Sequence, residues 1–155
     1  MKTRLASAAA AAAIIGSLAL VPASALAQPA HAAANRAALK LHTNKLGTFL
    51  VDGKGMSLYL FEKDKGGKSA CFGACAQAWM PYLTSGKATA GKGVAAAKIG
   101  TTKRKGGGTQ VTYAGHPLYH YIGDKSAGQT TGEGSKAFGA EWYLVSPAGK
   151  TVEGH

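Results

Sequence analysis

The chain has 155 residues, enough for one domain, with 18 Lys and Arg against 7 Asp and Glu and a formal charge of +11. A field of that sign favours anionic partners such as phospholipid headgroups, wall polymers or other polyanions. So few carboxylates leave no defined acid/base pair, and two cysteines exclude a four-cysteine zinc site.

Lys2 and Arg4 precede an uncharged apolar run over residues 5–21, broken by Pro22 and followed by Ala25-Leu26-Ala27. This is the layout of a secretory signal over residues 1–27, cleaved near Ala27. A transmembrane helix is the competing reading, but a run of about 17 residues diluted by Ala and Ser sits at the bottom of the spanning range. No Cys precedes Cys71, which argues against lipid attachment at a new N-terminus, and no second apolar segment follows. The expected location is secreted or extracytoplasmic, in the periplasm or outside the cell. Residues 28–38 read as a flexible Ala-rich leader.

From there to residue 155 the punctuation is that of short strands and turns. Residues 48–51 and 57–61 flank an Asp52-Gly53-Lys54-Gly55 turn, a hairpin signal. Residues 74–79 form a short helix stopped before Pro81, and residues 84–93 a surface loop. Residues 98–103 and 109–113 are strands joined by a glycine-rich turn. Residues 117–122 form a strand with Pro at its start. A long Gly-rich loop leads to a strand over 142–145, a turn, and a last strand over 150–152.

Leu-Tyr-x-aromatic-x-x-Asp-Lys occurs twice, at Leu58 to Lys65 and Leu118 to Lys125, and each copy is followed by a loop and a tryptophan, Trp79 or Trp142. The reading is a duplication inside one domain, with repeats over about 46–83 and 98–152 related by a pseudo-twofold. The expected fold is all-β or β-dominated: a small single domain of two antiparallel β units, long Gly-rich loops and one short helix. Strand alternation puts Tyr59 and Phe61 on one face and Leu58 and Leu60 on the other. It pairs Tyr119 with Tyr121 likewise, opposite Leu118, His120 and Ile122. Asp64 and Asp124 close each motif where a carboxylate caps the backbone N–H groups of a turn and accepts a tyrosine hydroxyl. The alternative is a metal ligand or a catalytic acid.

Cys71 and Cys75 are spaced C-x3-C, which is neither a thioredoxin-like nor a covalent-haem motif. In an exported chain they are expected to bond. Lys103-Arg104-Lys105 is the one basic run, a candidate anion-binding site. The other lysines are scattered through loops rather than striped along a helix, so nucleic acid is not the expected partner. No nucleophile elbow, metalloprotease helix or phosphate loop occurs, so no enzyme is expected.

The motif residues Tyr59, Phe61 and Asp64, and Tyr119, Tyr121 and Asp124, resemble a bacterial family of secreted proteins and predicted lipoproteins. That family carries a repeated Y-x-[FWY]-x-x-D motif and is described as a secreted repeat of unknown function. The Cys71-x-Gly73-x-Cys75 segment leading to Trp79 and Pro81, and Gly139-x-x-Trp142-Tyr143, are similar to it as well. The chain departs in lacking a lipobox cysteine and in placing Met80 between Trp79 and Pro81. The resemblance implies an extracytoplasmic β domain and no established activity.

Two functions fit. The first is a non-enzymatic secreted or cell-envelope binding or structural module with a basic surface suited to anionic envelope or wall components, needing no cofactor. The second is a haem- or metal-binding extracytoplasmic protein serving electron transfer or scavenging, with Met56, His116 and His120 as leading ligand candidates beside Met80, Tyr59 and Tyr119. The sequence sets no oligomeric state.

Overall fold

The computed structural model of the chain describes residues 36–152, so the expected signal segment and most of the expected leader lie outside the described residues. Ten strands run in chain order, with one five-residue helix, α1 (Ala74–Ala78). They are β1 (Ala38–Asn44), β2 (Gly47–Asp52), β3 (Tyr59–Phe61), β4 (Trp79–Pro81) and β5 (Thr89–Ala90), then β6 (Ile99–Lys103), β7 (Thr109–Tyr113), β8 (His116–Pro117), β9 (Tyr119–Tyr121) and β10 (Trp142–Leu144). They form three sheets, ordered β2-β1-β5, β10-β3-β9-β4 and β6-β7-β8. The fold is β-dominated, as the strand-and-turn punctuation requires.

The central sheet carries the duplication. β3 and β9, the two Leu-Tyr strands, lie side by side and antiparallel with Tyr59 opposite Tyr119. Each is flanked by the tryptophan strand of one repeat. β10 sets Trp142 against Phe61 and Leu144 against Tyr59; β4 sets Trp79 against Tyr121 and Pro81 against Tyr119. The two registers correspond, each placing a tryptophan opposite the motif's second aromatic residue on either side of the Tyr59–Tyr119 pair. Notably, Trp142 of the second repeat pairs with the strand of the first, so neither repeat completes its own sheet.

A hairpin precedes each Leu-Tyr strand, β1–β2 ahead of β3 and β6–β7 ahead of β9, so the first unit begins earlier than the expected residue 46. In the first, Gly47 takes a positive φ of 120° and the Asn44 side chain accepts the Leu46 N–H at 2.8 Å, which closes the turn. In the second, three successive glycines, Gly106 to Gly108, all have positive φ, a conformation that other residues rarely hold. The second strands, β2 and β7, are buried over their last four residues.

Alternation sends the side chains of the central strands into two cores. Leu58, Leu60 and Leu118 join Leu39, Leu50 and Val111 on one side. Tyr59, Phe61 and Tyr119 join Trp79, Trp142 and Phe49 on the other. β3 is therefore buried on both faces, as expected of a central strand; β9 is so only at Tyr119.

Several expectations are corrected. The leader does not run to residue 38: Ala37 is buried, its N–H donates to Thr84 Oγ1 at 3.1 Å, and Ala38 opens β1. The Leu39-x-Leu41 alternation is a strand pattern that the alanines ahead of it obscure. The loop over 84–93 contributes β5, which pairs parallel to β1. The strand over 117–122 breaks into β8 and β9, and Ile122, placed on the apolar face from sequence, is exposed at the end of β9. The last strand reduces to one bridge, Val145 to Thr151. Cys71 and Cys75 are bonded, with Cα atoms 5.2 Å apart.

Candidate functional site

The two motifs meet at the centre of the sheet, and they are exchanged. The Tyr59 hydroxyl donates to Asp124 Oδ2, and the Tyr119 hydroxyl donates to Asp64 Oδ2, each at 2.7 Å. Each tyrosine thus bonds the aspartate of the other repeat. The second oxygen of each carboxylate ties down the loop behind it. Asp64 Oδ1 accepts the Ala70 N–H at 2.7 Å; Asp124 Oδ1 accepts the Thr131 N–H at 2.8 Å and the Thr131 hydroxyl at 2.6 Å. Burial and the adjacent carboxylate push both tyrosine hydroxyls far above their ordinary range, so they remain donors. Burial also raises Asp64, against the Ala70 amide, the Tyr119 hydroxyl and the charges of Arg104 and His116.

The tryptophans obey the same symmetry. Phe61, Trp142, Trp79 and Tyr121 stack in that order, with centroid distances of 3.9, 3.9 and 4.3 Å. Tyr59 meets Trp79 edge-on at 5.3 Å and Tyr119 meets Trp142 edge-on at 5.1 Å. Such offset and edge-to-face pairs contribute roughly 0.5–1.5 kcal/mol each beyond the area they bury. Tyr59, Tyr119, Asp64 and Asp124 are thus engaged with one another and with loop backbone, and Phe61 and Tyr121 with the two tryptophans.

The halves differ behind the clamp. In the first, the disulfide closes a small loop carrying Phe72, a residue 40% exposed. In the second, Gly132 stands near the equivalent place. Its N–H donates to the Tyr59 hydroxyl at 3.3 Å, and a Cβ there would lie 2.7 Å from the Trp79 ring.

The basic run is divided. Arg104 turns inward: Nη1 donates to Ser69 Oγ at 2.8 Å and Gln110 Oε1 at 2.7 Å, and Nη2 donates to the Cys71 carbonyl at 2.6 Å. It thereby pins the β6–β7 turn to the disulfide loop, and its guanidinium sits 4.8 Å from the centroid of the Phe72 ring. Lys103 and Lys105 stay exposed. With Lys68, Ser69, Phe72 and Arg104 they line a pocket of about 470 Å³. Sequence reasoning missed Phe72, Lys68 and the anchors Ser69 and Gln110; nothing local in the sequence pairs a cysteine loop with a turn thirty residues on.

The ligand candidates do not converge on one place. Asp52 gathers two of them: its Oδ1 accepts the Met56 backbone N–H at 2.9 Å and its Oδ2 lies 3.1 Å from His120 Nε2. Burial pushes the Asp52 carboxyl up, but the His120 ring and the amides of Met56 and Lys54 prevail and hold it below its ordinary range. His116 lines another pocket, of about 330 Å³, with Glu62, Asp64 and Lys65. Met80 is exposed. Among the described residues no three His, Cys, Asp or Glu side chains converge as a metal site would require.

A family model described as a secreted repeat of unknown function matches residues 40–82 and 100–146, more than half of the chain. No curated protein and no solved structure matches. No described helix is long and apolar enough to cross a membrane. The first match takes in most of β1 and ends beside β4; the second runs from β6 through β10. Each thus holds one hairpin, one Leu-Tyr strand and one tryptophan strand, and the chain belongs to this family of secreted repeats of unknown function.

Proposed function

We propose that the protein is a non-enzymatic module of the cell envelope or its surroundings that binds anionic partners through its basic surface. The segregation of charge carries this reading. Every described lysine is exposed, whereas of the described carboxylates only Glu62 is fully so. Only one lysine, Lys136, has a carboxylate within ion-pair distance among the described residues, that of Glu141 at 3.3 Å. The three described aspartates are drawn into a turn and the Tyr–Asp clamp, which leaves the lysines to dominate the outer field. That field attracts polyanions over about 10 Å at 0.1 M salt and much less in stronger salt. A structural part for the motif is consistent with this reading, since Tyr59 and Asp124, and Tyr119 and Asp64, already satisfy one another.

The test is retention of the signal-free chain on heparin resin, and its co-sedimentation with phosphatidylglycerol vesicles against phosphatidylcholine vesicles. Binding to at least one anionic support at about 10 mM salt, lost at about 1 M, is expected. Absence of binding to both at the lower salt overturns the reading.

A further inference from the structure

We propose that the pocket between the disulfide loop and the β6–β7 turn binds an acidic sugar unit, a pyranose ring bearing carboxylate, sulfate or phosphate. This rests on the basic-surface reading and gives it a place and a ligand class.

The pocket has an anchored floor and an exposed rim. Its floor is the Phe72 ring with the Arg104 guanidinium packed against it. The three side-chain and carbonyl acceptors that hold Arg104, on Ser69, Gln110 and Cys71, are all neutral, so they orient the guanidinium without cancelling its charge. The disulfide closes the loop that presents Phe72. Its rim is Lys68, Lys103 and Lys105, all exposed. Lys103 Nζ donates to Thr109 Oγ1 at 2.7 Å and keeps two further donors. None of the three rim lysines has a carboxylate within ion-pair distance among the described residues, and no carboxylate lines the pocket.

A flat floor of aromatic ring and guanidinium under a positive rim selects a ligand with a flat C–H face and anionic substituents. A pyranose places axial C–H bonds on an aromatic ring and directs its charged groups outward, where lysines act as compact charges on flexible stems. A bare inorganic anion uses the rim and gains nothing from Phe72. A planar bilayer meets the rim and leaves the concave floor unfilled. The volume of about 470 Å³ lies within the usual range for small-ligand sites, roughly 300–1,000 Å³.

The experiment is calorimetric titration of the signal-free chain with a heparin-derived tetrasaccharide, with maltotetraose as the neutral ring control and inorganic phosphate as the bare-anion control. The tetrasaccharide is expected to bind at least about tenfold more tightly than either control. Phe72→Ala is expected to lower its affinity about tenfold, as is Lys103→Ala/Lys105→Ala. Lys45→Ala/Lys92→Ala, which removes equal charge outside the pocket, is expected to lower it less than threefold. Amide NMR shifts of the unmodified chain give a readout that no variant's folding affects: Phe72, Lys103 and Lys105 should move on titration and Lys45 should not. Unchanged affinity in Phe72→Ala, equal losses in the two lysine pairs, or shifts spread over distant lysines overturn the pocket while leaving the basic-surface reading standing. Failure of the unmodified chain to hold any anionic support ends both.

Discussion

The hydroxyl of Tyr59 donates to Oδ2 of Asp124, 65 residues away, at 2.7 Å. The same bond recurs with the repeats interchanged, from Tyr119 to Asp64. The doubled motif is thus a lock between two repeats rather than two independent sites. Each lock joins three things: a central strand, the opposite repeat, and the loop that follows the aspartate.

Breaking the lock should destabilise the fold. Asp124 is buried and accepts three bonds, from Tyr59, the Thr131 amide and the Thr131 hydroxyl. Asp124→Ala orphans those donors and should cost about 3 kcal/mol in urea unfolding. Asp64→Ala strips the Tyr119 hydroxyl and the Ala70 amide at a more open position and should cost less, about 2 kcal/mol.

The stacked indoles supply an optical signature. Trp79 and Trp142 lie 3.9 Å apart and 6° from parallel. Their transitions should couple and give a split circular dichroism band that vanishes in either Trp79→Phe or Trp142→Phe. Both residues are fully buried, so Trp→Ala at either should cost roughly 3–5 kcal/mol. A split band that survives either Trp→Phe change would contradict the stack.

Glu133 should give stability a pH slope. Burial lifts its carboxyl to about 7, against an ordinary 4.5, although the Leu144 amide donates to it at 2.5 Å. Between those values the folded chain holds a proton that the unfolded chain has released. Stability from this group is therefore greatest at acid pH and falls as pH rises through about 7. Glu133→Gln should remove that part of the slope and should be the more stable form above pH 7, read as melting temperature against pH. Parallel profiles for the two proteins would refute the assignment.

The disulfide should matter modestly. The loop from Cys71 to Cys75 is short, so Cys71→Ser/Cys75→Ser should cost about 2 kcal/mol. Because the Cys71 carbonyl is an anchor of Arg104, the change should also raise amide exchange in the β6–β7 turn. Unaltered exchange there would show that the turn holds itself.

Much of this was legible in the chain. Leu58-Tyr59-Leu60-Phe61 alternates cleanly, so the face of each side chain follows from strand geometry, and the second copy repeats it. An aspartate one turn past the strand announces a capped loop, and the amide bonds of Ala70 and Thr131 are of that kind. What escaped is non-local. The motif shows that a tyrosine hydroxyl needs a partner, but the partner stands in the other copy, and only the antiparallel placement of β3 and β9 brings it there. Arg104 reads as one cation in a run of three; its neutral acceptors lie on a loop far away in sequence. Ile122 looks like a continuation of the apolar face, yet β9 ends one residue earlier and leaves it in solvent.

A double-mutant cycle between Tyr59→Phe and Asp124→Asn, followed by urea unfolding of the four proteins, probes the exchanged lock most directly. Residues bonded to each other are non-additive, and the two changes should couple by about 1 kcal/mol or more. Strictly additive losses, or full stability in both single variants, would mean that the paired motifs do not hold the repeats together.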